Sequence, residues 1–327
     1  MRSRTTSWSR SRPGSSALAV EKKPWLTPPL YDIGKVAVAK NLTDAERPFT
    51  FAELNLDGRT LRYGIGTPAC QWRVQTLFTK EPGTIDWIES FASGEVFVDV
   101  GANIGIYSLY AGVAAGVEVY AFEPESQNYA ELYRNIFLNQ AQRSITAYCA
   151  AIGEQPVQVS SLLLRDFATG HSFHDFGEPS RNYAAETRFR QGSVAFSIDH
   201  LVESGALPAP DHVKIDVDGH EHRVIGGMRR LLERGKVRSL LLECDPSLPG
   251  TRGAVEWLLS HGWQVNPDQL RLSREGLRPA APVMEELRLG TYFGNIIFAR
   301  RASDLEFASR VLERFSPADL EIMRLPA

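Results

Sequence analysis

Glu95-Val-Phe-Val-Asp99-Val-Gly101-Ala-Asn103-Ile-Gly105-Ile-Tyr107 is the stretch that decides the fold. Val96, Phe97, Val98 and Val100 are β-branched or aromatic, as a strand covered on both faces requires. Asp99 interrupts the apolar run where a strand hands over to a loop. Gly101 lets the backbone turn sharply, and Gly105 lets a helix pack close to the strand or to a ligand. Ile106, Leu109 and Val113 continue at helical spacing. A strand that delivers a carboxylate and a glycine turn to a helix N-terminus is a place to hold a nucleoside. Downstream, Val117-Glu-Val-Tyr-Ala-Phe-Glu123-Pro124 predicts a second strand ending in an acid. Glu123 follows the turn at about the 20-residue offset at which such an acid holds ribose hydroxyls.

Working outward, Ser144 to Ile152 predicts a third strand that runs into Ala150 and Ala151. These small residues suit either an adenine ring lying flat or plain close packing. His212-Val-Lys214-Ile-Asp216-Val-Asp218-Gly-His220-Glu221-His222 is the second informative stretch. Read as a strand, it puts Lys214, Asp216 and Asp218 on one face, which is costly in an interior strand unless the charges are paired or used. A helical stretch from Val224 and the apolar Ser239-Leu-Leu-Leu-Glu243 follow, a βαβ rhythm that makes this strand central and sets its charges at the ligand-binding end of an open sheet. Thr291 to Ala299 predicts a last, antiparallel strand.

The expected architecture is α/β, a doubly wound, mostly parallel sheet with an antiparallel C-terminal strand and a small N-terminal β/α cap. Residues 1–24, rich in Ser and Arg, read as a disordered tail, with contact to an anionic surface as the alternative. Residues 25–91 read as the cap, with a hairpin turning at Asp57-Gly58 and an amphipathic lead-in helix over Thr84 to Phe91; 92–300 as the main domain; 301–327 as a helix over Ala302 to Phe315 and a tail. The segment from Glu154 to Ala195 is irregular, and its Gly170-His171-Ser-Phe-His174-Asp175-Phe176-Gly177 suits a substrate cover better than a metal site.

The chain has 327 residues and a net charge of -3, without the basic excess of a nucleic-acid protein. Its three scattered cysteines fit a reducing compartment, so the expected location is cytoplasmic. No apolar run approaches the roughly 20 residues of a membrane span.

Taken together, Val98-Asp-Val-Gly-Ala-Asn-Ile-Gly105, Ala121-Phe-Glu-Pro124 and Val213-Lys-Ile-Asp-Val-Asp-Gly-His-Glu221 resemble the FkbM family of S-adenosylmethionine-dependent methyltransferases. Lys80-Glu-Pro and Ala151-Ile-Gly153 add to the likeness, which covers roughly Lys80 to Arg300. The resemblance implies a class I methyltransferase (Rossmann-like) fold, with Asp99, Gly101, Asn103 and Gly105 lining the methionine part of the cofactor, Glu123 on the ribose and Ala151 near the adenine. It also implies O-methylation of a small-molecule or glycan hydroxyl on a sugar, glycolipid or polyketide-like compound. An alcohol needs a general base. Asp216 is the first choice, with Lys214 holding it ionised or fixing the substrate, and Asp218, Glu221 and His222 as other proton acceptors. Alternatively Asp216, Glu243 and Asp245 hold a divalent metal, or Asp216 and Lys214 form only a buried ion pair. An NAD-dependent oxidoreductase would need a second glycine where Asn103 stands; a non-catalytic cofactor-binding relative would be expected to lack the charges at the sheet end.

Overall fold

The computed structural model describes residues 37–39, 49–56, 59–172, 174–179, 187–270, 272–273, 276–277, 285–287 and 289–307. The predicted tail over 1–24, the hairpin turn at Asp57-Gly58 and most of the predicted helix over Ala302 to Phe315 lie outside them; Ala302–Leu305 forms a single 3₁₀ turn.

The strands are β1 (Ala37–Ala39), β2 (Phe49–Leu56), β3 (Arg59–Gly64), β4 (Val96–Val100), β5 (Glu118–Phe122), β6 (Ile145–Tyr148), β7 (Ala151–Ile152), β8 (Val157–Leu164), β9 (Asp175–Phe176), β10 (Phe189–Phe196), β11 (His212–Ile215), β12 (Ser239–Cys244), β13 (Gln264–Val265), β14 (Leu272–Ser273), β15 (Gly276–Leu277) and β16 (Gly294–Ala299). The helices are α1 (Pro68–Gln75), α2 (Pro82–Glu89), α3 (Ile106–Leu109, continued by a π turn over Tyr110–Ala115), α4 (Ser126–Leu138), α5 (Ile198–Glu203), α6 (Glu221–Gly226), α7 (Arg229–Glu233), α8 (Pro249–Ser260) and α9 (Pro267–Leu270).

A seven-stranded sheet in the order β13-β16-β12-β11-β4-β5-β6 carries the fold. Its strands run parallel except β16, which pairs antiparallel with both β12 and β13. This is the expected doubly wound, mostly parallel sheet, with its antiparallel C-terminal strand. Side chains alternate across it. Phe97, Val119, Leu241 and Ile297 pack on one face with α2, α3 and α4. Val98, Val100, Val213, Ile215, Leu240 and Leu242 pack on the other with α6, α7 and α8.

Three details depart from expectation. The stretch from Glu154 to Ala195, expected to be irregular, carries two eight-residue strands, β8 and β10, paired antiparallel. The lead-in helix α2 does not leave its polar face in water: Pro82 through Ile88 are all buried, because α2 is enclosed rather than laid on a surface. The strand carrying Lys214 ends at Ile215, so Asp216 and Asp218 lie in the following loop and do not continue one strand face. Asp218 turns that loop with a left-handed backbone, φ 55°.

A second, four-stranded sheet, β7-β10-β8-β9, stands over the exits of the parallel strands, and β1-β2-β3 forms a three-stranded antiparallel sheet beside α4. Asn135, buried in α4, ties this small sheet to the glycine turn. Its Oδ1 accepts from Gly64 N at 2.7 Å and its Nδ2 donates to the Ile104 carbonyl at 2.8 Å. Asn135→Ala leaves both backbone groups buried and unpaired. It is expected to cost about 2–3 kcal/mol, read as a lower urea midpoint at unchanged slope.

Candidate active site

The turn after β4 is held by backbone. Gly101 N and Ala102 N donate to the Phe122 carbonyl at 2.9 and 3.0 Å. Gly101 has φ 82°, and a Cβ there would stand 1.9 Å from the carbonyl oxygen of Asp216. Only glycine lets the turn pass that close to the exit of β11. Gly105 has φ 85°, and a Cβ there would stand 2.4 Å from the Leu132 side chain of α4, so its missing side chain serves helix packing. Asn103, left-handed at φ 51°, aims its N–H at Glu123 Oε2, 2.8 Å away. Glu125 N donates to the other Glu123 oxygen at 2.9 Å. Burial outweighs these two donors and pushes the Glu123 carboxyl up to about 7.

These groups open into a cavity of about 320 Å³ across the ends of β4, β5, β6, β11 and β12. Of the residues expected at a site, Gly101, Asn103, Glu123, Ala151, Asp216, Asp218, Glu243 and Asp245 line it. The others do not. Asp99 is sealed below, accepting from Ser108 Oγ at 2.6 Å. Glu221 is buried and accepts from Gly219 N at 2.9 Å, Val217 N at 3.3 Å and Thr251 Oγ1 at 3.1 Å, so it shapes the loop after β11. His222 packs its ring against Gly250 of α8. Lys214 lines only a small side cavity, with Tyr107, Asp216, Arg73 and Lys80.

Parallel pairing sets Lys214 beside Asp99, on the opposite face from Val98 and Ile215. Its Nζ donates to Asp216 Oδ2 at 2.8 Å, lies 3.9 Å from Asp99 Oδ1 and sits 5.2 Å from the centre of the Tyr107 ring. Burial alone would lower the Lys214 pKa, but Asp216, Asp99 and Glu81 together raise it. Burial likewise opposes ionisation of Asp216; Lys214, Lys80 and a hydrogen bond with Glu243 overcome it and hold that carboxyl below its ordinary value. Glu243 goes the other way, raised well above the carboxylate range by burial and by the negative charges of Asp216, Asp218 and Glu221. An ionised Asp216 bonded to a protonated Glu243 is the arrangement these shifts describe.

Glu81, which the sequence marks only as part of Lys80-Glu-Pro, belongs to the same cluster. It is buried, pairs with Lys80 and accepts from Asn295 Nδ2 at 2.8 Å. Among the described residues, no three His, Cys, Asp or Glu side chains group so as to hold a metal ion. The Asp216, Glu243, Asp245 set fits one poorly, since the Lys214 ammonium already occupies the cation position on Asp216.

The predicted cover is latched from below. Asn103 Nδ2 and Asn128 Nδ2 donate to the His171 carbonyl at 2.8 and 3.0 Å, Gly170 N donates to Asn128 Oδ1 at 2.7 Å, and Arg73 Nε donates to the Gly170 carbonyl at 2.6 Å. Arg73 and Asn128, which line the cavity, have no local sequence signal, because their partners lie far along the chain.

Comparison with known proteins settles the family. The sequence model of the FkbM methyltransferase domain matches residues 99–265, just over half of the chain. The chain belongs to the FkbM methyltransferase family. Hexuronic acid methyltransferase AglP of Haloferax volcanii is 28% identical to this FkbM chain over 196 residues, 58% of this chain and 73% of AglP. The 31-O-demethyl-FK506 methyltransferase FkbM of Streptomyces tacrolimicus is 26% identical over 199 residues, 54% of this chain and 75% of its own length. The crystal structure of precorrin-6y C5,15-methyltransferase from Geobacter metallireducens aligns over 56% of this chain and 70% of its own at 18% identity, with a TM-score of only 0.33. As a family member the chain is a methyltransferase. Among the described residues no helix is long and apolar enough to cross a membrane.

The ion cluster sets a test of its own. Lys214→Met leaves two carboxyls buried without their cation and is expected to cost about 3–5 kcal/mol at pH 7. Native Asp216, held low, keeps its stabilising charge until the pH falls below the ordinary carboxylate value near 4. In the variant both acids are pushed up, so its stability should recover as pH falls from 7 to 5. Denaturation midpoints at the two pH values for both proteins check the sign.

Proposed function

We propose that this methyltransferase moves the methyl group of S-adenosylmethionine onto a hydroxyl oxygen of a sugar or polyketide-like small molecule. The observation that carries this reading is one shared cavity. It holds a buried acid short of donors, Glu123, beside the Gly101 turn, and an ionised carboxylate, Asp216, at the neighbouring strand end. The named activities of the two relatives, on a hexuronic acid and on a demethylated polyketide, point to the same kind of acceptor.

The chain's own residues fit the cofactor. Two vicinal ribose hydroxyls would give Glu123 the donors its buried carboxylate lacks. Gly101 and Asn103 offer backbone for the amino-acid portion, and Ala151 a flat contact for the base. Bound S-adenosylmethionine supplies an activated methyl carbon on a sulfonium. Asp216 would accept the hydrogen bond of the acceptor hydroxyl, align its oxygen and hold the proton that this oxygen gives up. Lys214 keeps Asp216 charged for that task, which makes it an orienting acceptor more than a strong base.

Two measurements test the reading. S-adenosylhomocysteine binding, followed by calorimetry, should weaken as pH is lowered through about 7, because protonated Glu123 cannot accept from both hydroxyls. Glu123→Gln should lose about tenfold to a hundredfold in affinity and lose that pH dependence. Asp216→Asn should cut transfer of labelled methyl to polyhydroxylated acceptors, uronic acids included, by about a hundredfold or more, while S-adenosylhomocysteine affinity stays within about threefold. Full turnover in that variant removes Asp216 from the reaction.

A further inference from the structure

The cavity has a second polar wall that the methyl-transfer reading does not use. His174 lines it, just before β9, and Asp218 lines it in the loop after β11. The two are brought together by the hydrogen bond between their neighbours, His220 Nε2 to Asp175 Oδ1 at 3.0 Å, which ties β9 to that loop. Among the described cavity-lining residues, His174 Nδ1 is the buried side-chain nitrogen or oxygen left without a hydrogen-bond partner. Such an orphan calls for a ligand atom or a bound water. Asp218 adopts a left-handed backbone there, although it is not glycine. The wall around them includes apolar side chains, Pro124, Ile152, Leu162, Phe176 and Val217, which suit the faces of a planar ring.

We infer that His174 and Asp218 read the edge of the cofactor's purine, Asp218 accepting from the exocyclic 6-amino group and His174 donating to an adjacent ring nitrogen. Adenine presents this donor beside an acceptor; hypoxanthine, with a 6-oxo group, reverses the pattern. The neutral imidazole suits the task, because burial holds the His174 pKa down. The inference rests on the cofactor assignment made above and gives that site its nucleobase specificity.

Calorimetry on the full chain with S-adenosylhomocysteine and with S-inosylhomocysteine, its 6-oxo analogue, separates the possibilities. The native chain should prefer the adenosyl compound by at least about tenfold, since a site built for one hydrogen-bond pattern leaves buried groups unpaired with the other. Asp218→Asn, whose amide can face either group, should weaken adenosyl binding about tenfold and bring the preference to within about threefold. His174→Phe should lose about tenfold toward the adenosyl compound, and His174→Asn, which places an amide nitrogen near the Nδ1 position, should recover most of it. Circular dichroism and melting of each variant exclude loss of fold. If native protein binds S-adenosylhomocysteine while Asp218→Asn and His174→Phe match its affinity and preference, the purine-edge assignment is wrong and the cofactor reading survives. If native protein does not bind it, both fall.

Discussion

Where the turn after β4 meets the end of β11, the backbone has no room for a side chain. A Cβ on Gly101 would lie 1.9 Å from the Asp216 carbonyl. This contact fixes how far apart the two strand exits stand, and the cavity is the space left above them. Asn103 takes its strained conformation as part of the same turn, and its N–H reaches Glu123 on the next strand. One close approach therefore sets three strand ends in register with one another, without any flexible loop between them.

The charge cluster beneath that contact works as a unit. Four acids and two lysines crowd together: Glu81, Asp99, Asp216 and Glu243 with Lys80 and Lys214. Burial penalises each charge, so the cluster survives by assigning protons unequally. Asp216 and Glu81 stay ionised against the lysines, while Asp99 and Glu243 are driven toward the neutral form. A carboxylate that remains charged in a recess can act on a hydroxyl; neighbours shifted toward the neutral form lower the summed charge.

Much of this was legible along the chain. The strand, turn and acid at Asp99, Gly101 and Glu123 are local features with short-range causes, and the sheet followed from their repetition. Lys214 and Asp216 were visible as charges that an interior strand should not carry. Other roles depended on contacts that no window of sequence contains. Glu221 looks like a proton acceptor beside His220, yet its oxygens are taken by the loop's own N–H groups and by Thr251. Asp218 alternates correctly with Asp216, but the strand stops before either. Glu81 is one polar residue among many until folding places Asn295 and the lysine cluster around it. Arg73 and Asn128 matter only because Gly170 and His171 return to them from far along the chain.

The roof and the floor of the cavity are built separately. The four-stranded sheet leaves the chain after β6, returns to it at α5 and, among the described residues, shares no ladder with the seven strands below. Strands in the roof can change length or composition without breaking a single rung of the parallel sheet. Change in the roof is thus limited chiefly where it walls the cavity, at Ala151, Ile152, Leu162, His174 and Phe176, and is freer along the outer lengths of β8 and β10.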